Sequence, residues 1–344
     1  MSCCDETTAR VPPTDLSRRS LLKGTTVAAS VLPGAAPAAA QGRRIKLAYC
    51  SQLLCGVPYE VARSSGYFKK HGLDVELIYT RGGSAAMAAL VGNAVDYSAA
   101  SLEVAITAFA KGAEIKRFAV TGRLPLFALA TAPKTADQIK EIGDLQGRTV
   151  AISGLGNVDH ALTLYLLAQA KADASKVKFA AMGVNLLEAL RQGQIDAGLV
   201  QEPALTLLQR AGSRVLVNFM DLTDARRYLG GTYEFMGVAV RTKEMEQRND
   251  EMQMLIGALA DALKALRTMS GSELIAALPK EMVTGLDTKE FGDIVVRHRD
   301  SLYPETVNID LAAADRVAQT LIVGGLLPAG ANISGLHDTS IVKG

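Results

Sequence analysis

Three glycine-bearing turns offer the clearest chemistry in this chain: Gly82-Gly83-Ser84, Ser153-Gly154-Leu155-Gly156-Asn157 and Gly183-Val184-Asn185. Each precedes a stretch with helical patterning, so each is expected to expose a helix N-terminus. Unpaired N–H groups and about half a positive charge at such an end hold an anionic group without a formal cation. Glycine admits a ligand to the backbone, while serine and asparagine add donors. That is the chemistry of capture without reaction. Any single turn of this kind also fits a well-capped helix of an α/β protein. Three of them on matched halves of a chain point to a ligand.

Further candidates sit where open α/β sheets place ligands, beyond the carboxyl ends of strands. Ser51 and Gln52 follow the first expected strand, Ser101 follows the third, and Glu202 follows a strand of the second half. Glu202 also suits a capping role for the helix that Pro203 would open. Tyr233 precedes a segment expected to cross between lobes, and Tyr49, Tyr97 and Tyr233 offer rings for a small aromatic ligand. Arg123 can pair bidentately with a carboxylate or sulfonate, or equally serve a structural ion pair.

The first and third turns belong to a repeat. Gly83-Ser84 through Ala89-Leu90 to Val95-Asp96 recurs one hundred residues later as Gly183-Val184 through Ala189-Leu190 to Ile195-Asp196. A second glycine, Gly92 or Gly193, stands near each helix end. An αβ unit used once per half predicts two similar lobes facing across a cleft. Strands are expected at 45–50, 75–79, 95–99 and 115–120. Helices are expected from Pro58 to about Ser65, from the 82–84 turn to Gly92, and from Ser101 to Lys111. Residues 126–131 are expected to cross to the second lobe, with strands at 149–152 and 197–200 and a helix ending at Ala170. Residues 237–240 are the expected return crossing, and the helices after Lys243 should pack back on the first lobe.

Ser17-Arg18-Arg19-Ser20-Leu21-Leu22-Lys23 follows the twin-arginine export pattern. A mildly apolar stretch and an alanine-rich run to Ala40 complete a leader with a cleavage site before Gln41. No lipobox cysteine follows, so a soluble periplasmic protein is expected. The leader holds four of the 37 basic and three of the 35 acidic side chains, leaving 33 and 32. So even a balance argues against a nucleic-acid partner. His71, His160, His298 and His337 lie far apart without Cys or carboxylate at ligand spacing, so neither metal nor cofactor is expected. Cys50 and Cys55 either bridge over a span too short to stabilise much, or stay as a buried strand thiol and a free turn thiol. No nucleophile elbow occurs, and Gly154-x-Gly156 lacks the full dinucleotide fingerprint, so no enzyme is expected.

Val57-Pro58-Tyr59, Gly66-Tyr67-Phe68 and Gly72-Leu73-Asp74-Val75-Glu76 come in an order that resembles the substrate-binding proteins of ABC importers. Asp144-Leu145-Gln146-Gly147-Arg148-Thr149-Val150-Ala151, Gly193-Gln194-Ile195-Asp196-Ala197 and Gln201-Glu202-Pro203-Ala204 extend the match over nearly the whole exported part. More narrowly, the chain resembles the branch that binds nitrate, sulfonates, taurine or thiamine-precursor pyrimidines. The resemblance implies an α/β chain of the type II periplasmic binding fold, with two αβ lobes around a ligand cleft joined by two crossing strands. It divides the chain into a leader (1–40), the first part of lobe 1 (41–128), lobe 2 (129–236) and the rest of lobe 1 with C-terminal helices (237–344). It implies a monomer that delivers a small anion (sulfonate, nitrate or carboxylate) to a permease and its ATPase. A pyrimidine-binding relative, carrier or enzyme, is one alternative, although Cys50 and Cys55 stand apart from any cysteine-rich iron motif. A ligand sensor for a membrane receptor is the other.

Overall fold

Two mixed five-stranded sheets, each packed with helices, carry residues 44–50 and 53–341, the part described by the computed structural model. In the first sheet β1 (Ile45–Cys50) runs parallel to β2 (Val75–Thr80) and β3 (Tyr97–Ser101). Parallel neighbours need crossovers. Here they are α1 (Leu53–Ser64) with the short α2 (Tyr67–Lys70), and then α3 (Gly83–Val91). From β3 the chain passes through α4 (Leu102–Ala110) to β4 (Ile115–Val120). The second sheet takes β5 (Ala128–Thr131), β6 (Thr149–Ile152), β7 (Lys178–Ala181), β8 (Ala197–Val200) and β9 (Val215–Asn218). Its helices are α5 (Val158–Gln169), α6 (Leu186–Arg191) and α7 (Ala204–Arg210). A short α8 (Leu222–Asp224) runs on as a π turn to Leu229, and β10 (Met236–Arg241) returns to the first sheet.

The strand orders β2-β1-β3-β10-β4 and β7-β6-β8-β5-β9 are one plan used twice. In each, the strand in fourth place is antiparallel to both neighbours and arrives from the other sheet. These are the two crossings expected from the sequence. The C-terminal helices are α9 (Asn249–Leu266), α10 (Gly271–Ala277), α11 (Lys280–Val283), α12 (Thr288–Leu302) and α13 (Leu311–Val323). Of these, α9 and α10 pack on α1 as expected, but α13 lies against both α4 and α5. Glu290 of α12 also pairs with Arg210 of α7. The C-terminal helices therefore touch both halves, not the first alone. Among the described residues, no helix is long and apolar enough to cross a membrane.

The repeat turns out to be a device for ending a helix and starting a strand. The left-handed residue is Asn93 (φ 61°) in one copy and Gly193 (φ 66°) in the other, so Gly92 is not the counterpart of Gly193. Ala94 N–H donates to Ala89 O, and Gln194 N–H to Ala189 O, both at 2.9 Å. This closes the helix C-terminus through its own carbonyls. Asp96 then accepts the Lys46 N–H and Asp196 the Thr149 N–H, both at 2.8 Å. Each aspartate thus anchors the start of the adjacent parallel strand. Because Asp96 serves this anchor and the Val95 carbonyl accepts from Arg241, β3 begins at Tyr97 and runs to Ser101 rather than covering 95–99.

Pro58 lies inside α1, which begins at Leu53, rather than in its opening turn. A proline removes the donor for the carbonyl four residues earlier. That carbonyl, Leu54 O, accepts the Tyr303 hydroxyl at 2.8 Å instead.

Beneath the crossing, Arg117 is 1 % exposed and donates to Glu234 Oε1 (2.9 Å), Ala100 O (3.1 Å) and Phe235 O (2.9 Å). Gly237 makes room for it. A Cβ there would stand 2.4 Å from Ala119 O and 2.6 Å from Arg117 Nη2. We expect Gly237→Ala to lower the unfolding free energy by about 2–3 kcal/mol, the upper part of the range for overpacking. Denaturant titration of the purified variant measures this, and an unchanged midpoint would show that β10 can shift without cost.

Candidate ligand-binding cleft

A cavity lies between the sheets at the carboxyl ends of β1, β3 and β6. Cys50, Gly82, Gly83, Ser101 and Val104 wall it on the side of the first sheet, with Cys55 from the first turn of α1. Ser153, Asn157 and Val158 wall it on the side of the second. The two crossings contribute Phe127, Phe235 and Met236, and the two phenylalanine rings meet edge-on with centroids 6.3 Å apart. Among the described residues, no charged side chain lines it.

Three helices start at this wall, and none has a side-chain cap. The N-cap residues of α3, α4 and α5 are Gly82, Ser101 and Asn157, and none accepts a hydrogen bond from its own helix through a side chain. Away from the cleft, Ser270, Asp287 and Asp310 cap α10, α12 and α13, whereas α2, α6, α9 and α11 also start without an N-cap side-chain bond. At Gly82 (φ 132°, ψ 167°) the backbone takes a conformation that L side chains rarely adopt. Ser101 is buried, and its hydroxyl, though near enough to Glu103 to weigh on that residue's titration, makes no aligned hydrogen bond.

Across the cavity mouth Ser84 Oγ donates to Asn157 Oδ1 at 2.7 Å, joining the start of α3 to the start of α5. Asn157 Nδ2 in turn donates to Ser153 Oγ at 3.0 Å. The lobes are shut, and the cavity volume is about 30 Å³. That suits one or two waters, so anything larger needs the Ser84–Asn157 contact to part.

A family model described as "NMT1/THI5 like" matches residues 57–268, more than half of the chain. The chain belongs to the NMT1/THI5-like family. Comparison with curated protein sequences gave no match. Among solved structures it is similar to a protein from Bordetella bronchiseptica RB50 (TM-score 0.78, 24 % identity, covering 88 % of this chain and 96 % of that one). It is also similar to the alkanesulfonate-binding protein SsuA from Xanthomonas axonopodis pv. citri bound to MOPS (0.68, 19 %, 87 % and 99 %). A third is the periplasmic nitrate-binding protein NrtA from Synechocystis PCC 6803 (0.68, 15 %, 87 % and 86 %). At these identities the likeness establishes the fold, which is the two-lobed periplasmic binding fold expected from the sequence.

Of the residues singled out in the sequence, Gly82, Gly83, Ser101, Ser153 and Asn157 meet at the cavity. Ser84 and Gly156 lie beside it, in a groove between α3 and α4. Ser51 and Gln52 fall outside the described residues, as does the leader (1–40), which lies within the undescribed residues 1–43. Asn185 is exposed and does not line the cavity, because its helix α6 starts elsewhere on the second lobe. Arg123 donates to Asp300 O at 2.9 Å, and its own N–H to Leu302 O, so it secures the end of α12. Glu202 accepts both the N–H and the hydroxyl of Thr206 and caps α7.

The tyrosines offered for a ring are fully buried. Tyr49, Tyr97 and Tyr233 donate to Glu60, Glu251 and Glu103 at 2.6, 2.6 and 2.8 Å. Sequence reasoning missed Cys50, Cys55, Val104, Phe127, Val158, Phe235 and Met236 as lining residues. Cys50 ends a parallel strand, and Phe127 and Phe235 immediately precede the crossing strands, so the strand-end rule could have found those three.

Two buried carboxylates stand in the first turns behind the wall. Burial lifts Glu103 to about 7; its Oε1 accepts from Tyr233 and its Oε2 has no partner. Burial likewise lifts Asp159 to about 6, against hydrogen bonds from Ser153 and the His160 N–H. A carboxyl whose folded pKa is raised binds its proton more tightly folded than unfolded. Its contribution to stability is therefore full below about pH 4.5 and is lost as pH rises through about 7. Between those limits we expect Glu103→Gln, which keeps the acceptor for Tyr233, to gain up to about 3 kcal/mol relative to the parent. Parallel denaturant titrations at pH 4.5 and 8 check it, and a constant difference would assign Glu103 an ordinary pKa.

Proposed function

We propose that this protein is the solute-capturing subunit of an ABC importer and that its solute is a small organic anion. The observation that carries this reading is the meeting of three helix N-termini without side-chain caps at one interlobe cavity lined, among the described residues, by no charged side chain. Backbone N–H groups near Gly83, Ser101 and Asn157, with the Ser101 hydroxyl, would take the anionic group. Val104, Phe127, Val158, Phe235 and Met236 would take an apolar remainder, which favours a short-chain sulfonate or carboxylate over nitrate. The family, and the sulfonate- and nitrate-binding proteins of similar structure, support a carrier that releases its ligand unchanged to a permease. A neutral pyrimidine is the second reading, because the edge-on pair Phe127 and Phe235 offers ring faces at the same cavity. A twin-arginine leader at residues 17–40 would place this function in the periplasm.

A Cβ at Gly83 would make only ordinary contacts, at 3.6–3.7 Å from Ala100, Val104 and Ser101. Gly83→Ala should therefore fold normally while placing a methyl group at the anion's approach. We expect Gly83→Ala and Ser101→Ala each to weaken binding about 10-fold or more, the cost of a lost charge-assisted hydrogen bond. Mass spectrometry of molecules co-purifying with the exported protein identifies the ligand, and calorimetry with that compound measures the loss. Thermal stabilisation by uncharged pyrimidines alone, and by no sulfonate or carboxylate, would overturn the anion reading.

Export should depend on the arginine pair. Replacing Arg18 and Arg19 together by lysine should leave precursor in the cytoplasm, whereas normal periplasmic accumulation would refute the leader assignment.

A further inference from the structure

Anion capture leaves two thiol side chains of the cavity wall without a role. Cys50 closes β1, Cys55 lies in the first turn of α1, and both line the cavity at 4 % and 3 % exposure. Neither is in a disulfide, and Cys50 lies close enough to Cys55 to help raise the Cys55 thiol above its usual pKa. The sulfurs are therefore neighbours on one wall.

We infer that Cys50 and Cys55 form a reversible dithiol–disulfide site in the cavity wall, whose reaction partner is a small external disulfide. Two features favour this over a thiophilic metal. Burial pushes the Cys55 thiol well above its usual pKa, so the apolar wall disfavours thiolates and hence a charged metal dithiolate. A disulfide between the same sulfurs is neutral and suits that wall. Among the described residues, no group of three or more Cys, His or acidic side chains stands ready to complete a metal shell.

The exchange balances without any other redox partner. One protein thiol gives its proton to solvent and attacks a sulfur of the external disulfide, forming a mixed disulfide and releasing one thiolate. The second protein thiol then loses its proton and displaces the other half. The protein dithiol is oxidised by two electrons, and the external disulfide is reduced to two thiols. Parting of the Ser84–Asn157 contact gives the reagent access. The site does not depend on which ligand the cavity takes.

The test uses the full chain and glutathione disulfide as the probe. After remaining thiols are blocked with an alkylating agent, trypsin releases residues 47–63 as one peptide containing Cys50 and Cys55, while Cys3 and Cys4 fall in another. The expected product is the 47–63 peptide lighter by two hydrogens, carrying no blocking group, and restored by dithiothreitol. In Cys50→Ser or Cys55→Ser the exchange cannot finish, so at least one of these variants should retain a single glutathionyl group on its remaining thiol. The proposal is overturned if the native peptide stays reduced under conditions that oxidise the urea-unfolded chain. Retention of glutathione on the parent peptide, or by neither variant, overturns it as well.

Discussion

The buried guanidinium of Arg117 holds the cleft in place from beneath. Removing such a charge from water costs several kcal/mol, and only complete pairing offsets it. Arg117 obtains that pairing from three directions: the carboxylate of Glu234, the carbonyl of Ala100 and the carbonyl of Phe235. Ala100 is the residue before the Ser101 cap, and Phe235 is the residue before β10. One side chain on β4 therefore fixes both the helix end that faces the cavity and the ring that lines it. Phe235 is tied from its other side too, since its N–H donates to Gly122 O and its carbonyl also accepts the Leu102 N–H. The absence of a side chain at Gly237 is part of the same arrangement, because the guanidinium passes where a Cβ would be.

With the first-lobe end of the return crossing held this firmly, relative movement of the lobes has to be absorbed by the connecting segments 121–127 and 219–235. The C-terminal helices constrain that movement further. The Arg210–Glu290 pair between α7 and α12 is substantially exposed at Arg210, and such pairs are worth little in water. The packing of α13 on both α4 and α5 is the larger restraint, because it is apolar and spans the two halves. Tyr233 adds a polar tie, its hydroxyl bonded to Glu103 of α4 and to Thr320 of α13. The connection between lobes is thus two strands plus a helix at their back, and opening at the Ser84–Asn157 side is the motion that disturbs it least.

Period and turn chemistry made the architecture legible in the sequence. The two crossings, the paired αβ units and the glycine turn at 82–84 were all readable, because strands and helix starts are local properties. The site was only half legible. Ser101, Ser153 and Asn157 follow strand ends and could be named, but which turns face the cleft depends on sheet order. Gly183–Asn185 copies Gly83–Ala85 in its sequence setting, yet it starts a helix of six residues away from the cavity. The tyrosines misled for a related reason. A phenol next to a strand reads as a binding ring, whereas Tyr49, Tyr97 and Tyr233 are each consumed by a glutamate distant in sequence, a partnership that no local pattern announces. The aspartates of the repeat, whose part in it no local pattern announced, prove to be strand anchors.

Leaving a helix without a side-chain cap costs about 0.5–2 kcal/mol. At the cavity α4 and α5 forgo that stabilisation and α3, which starts at a glycine, forgoes less; elsewhere α10, α12 and α13 are capped, and α2, α6, α9 and α11 are not. Its own acidic side chains could have neutralised the exposed ends. Glu103 and Asp159 each accept a backbone N–H of their own first turn, and they also accept from Tyr233 and Ser153 respectively, while burial raises both toward neutrality. An arriving anion would raise them further, so capture would draw protons as it proceeds and the negative charge behind each helix end would fade when the ligand's charge arrives. The N–H groups are already oriented, with no long side chain to order on binding. On the proposed reading, a wall built this way would bind weakly hydrated charge without holding a counter-charge of its own, and would release the ligand intact once the lobes part.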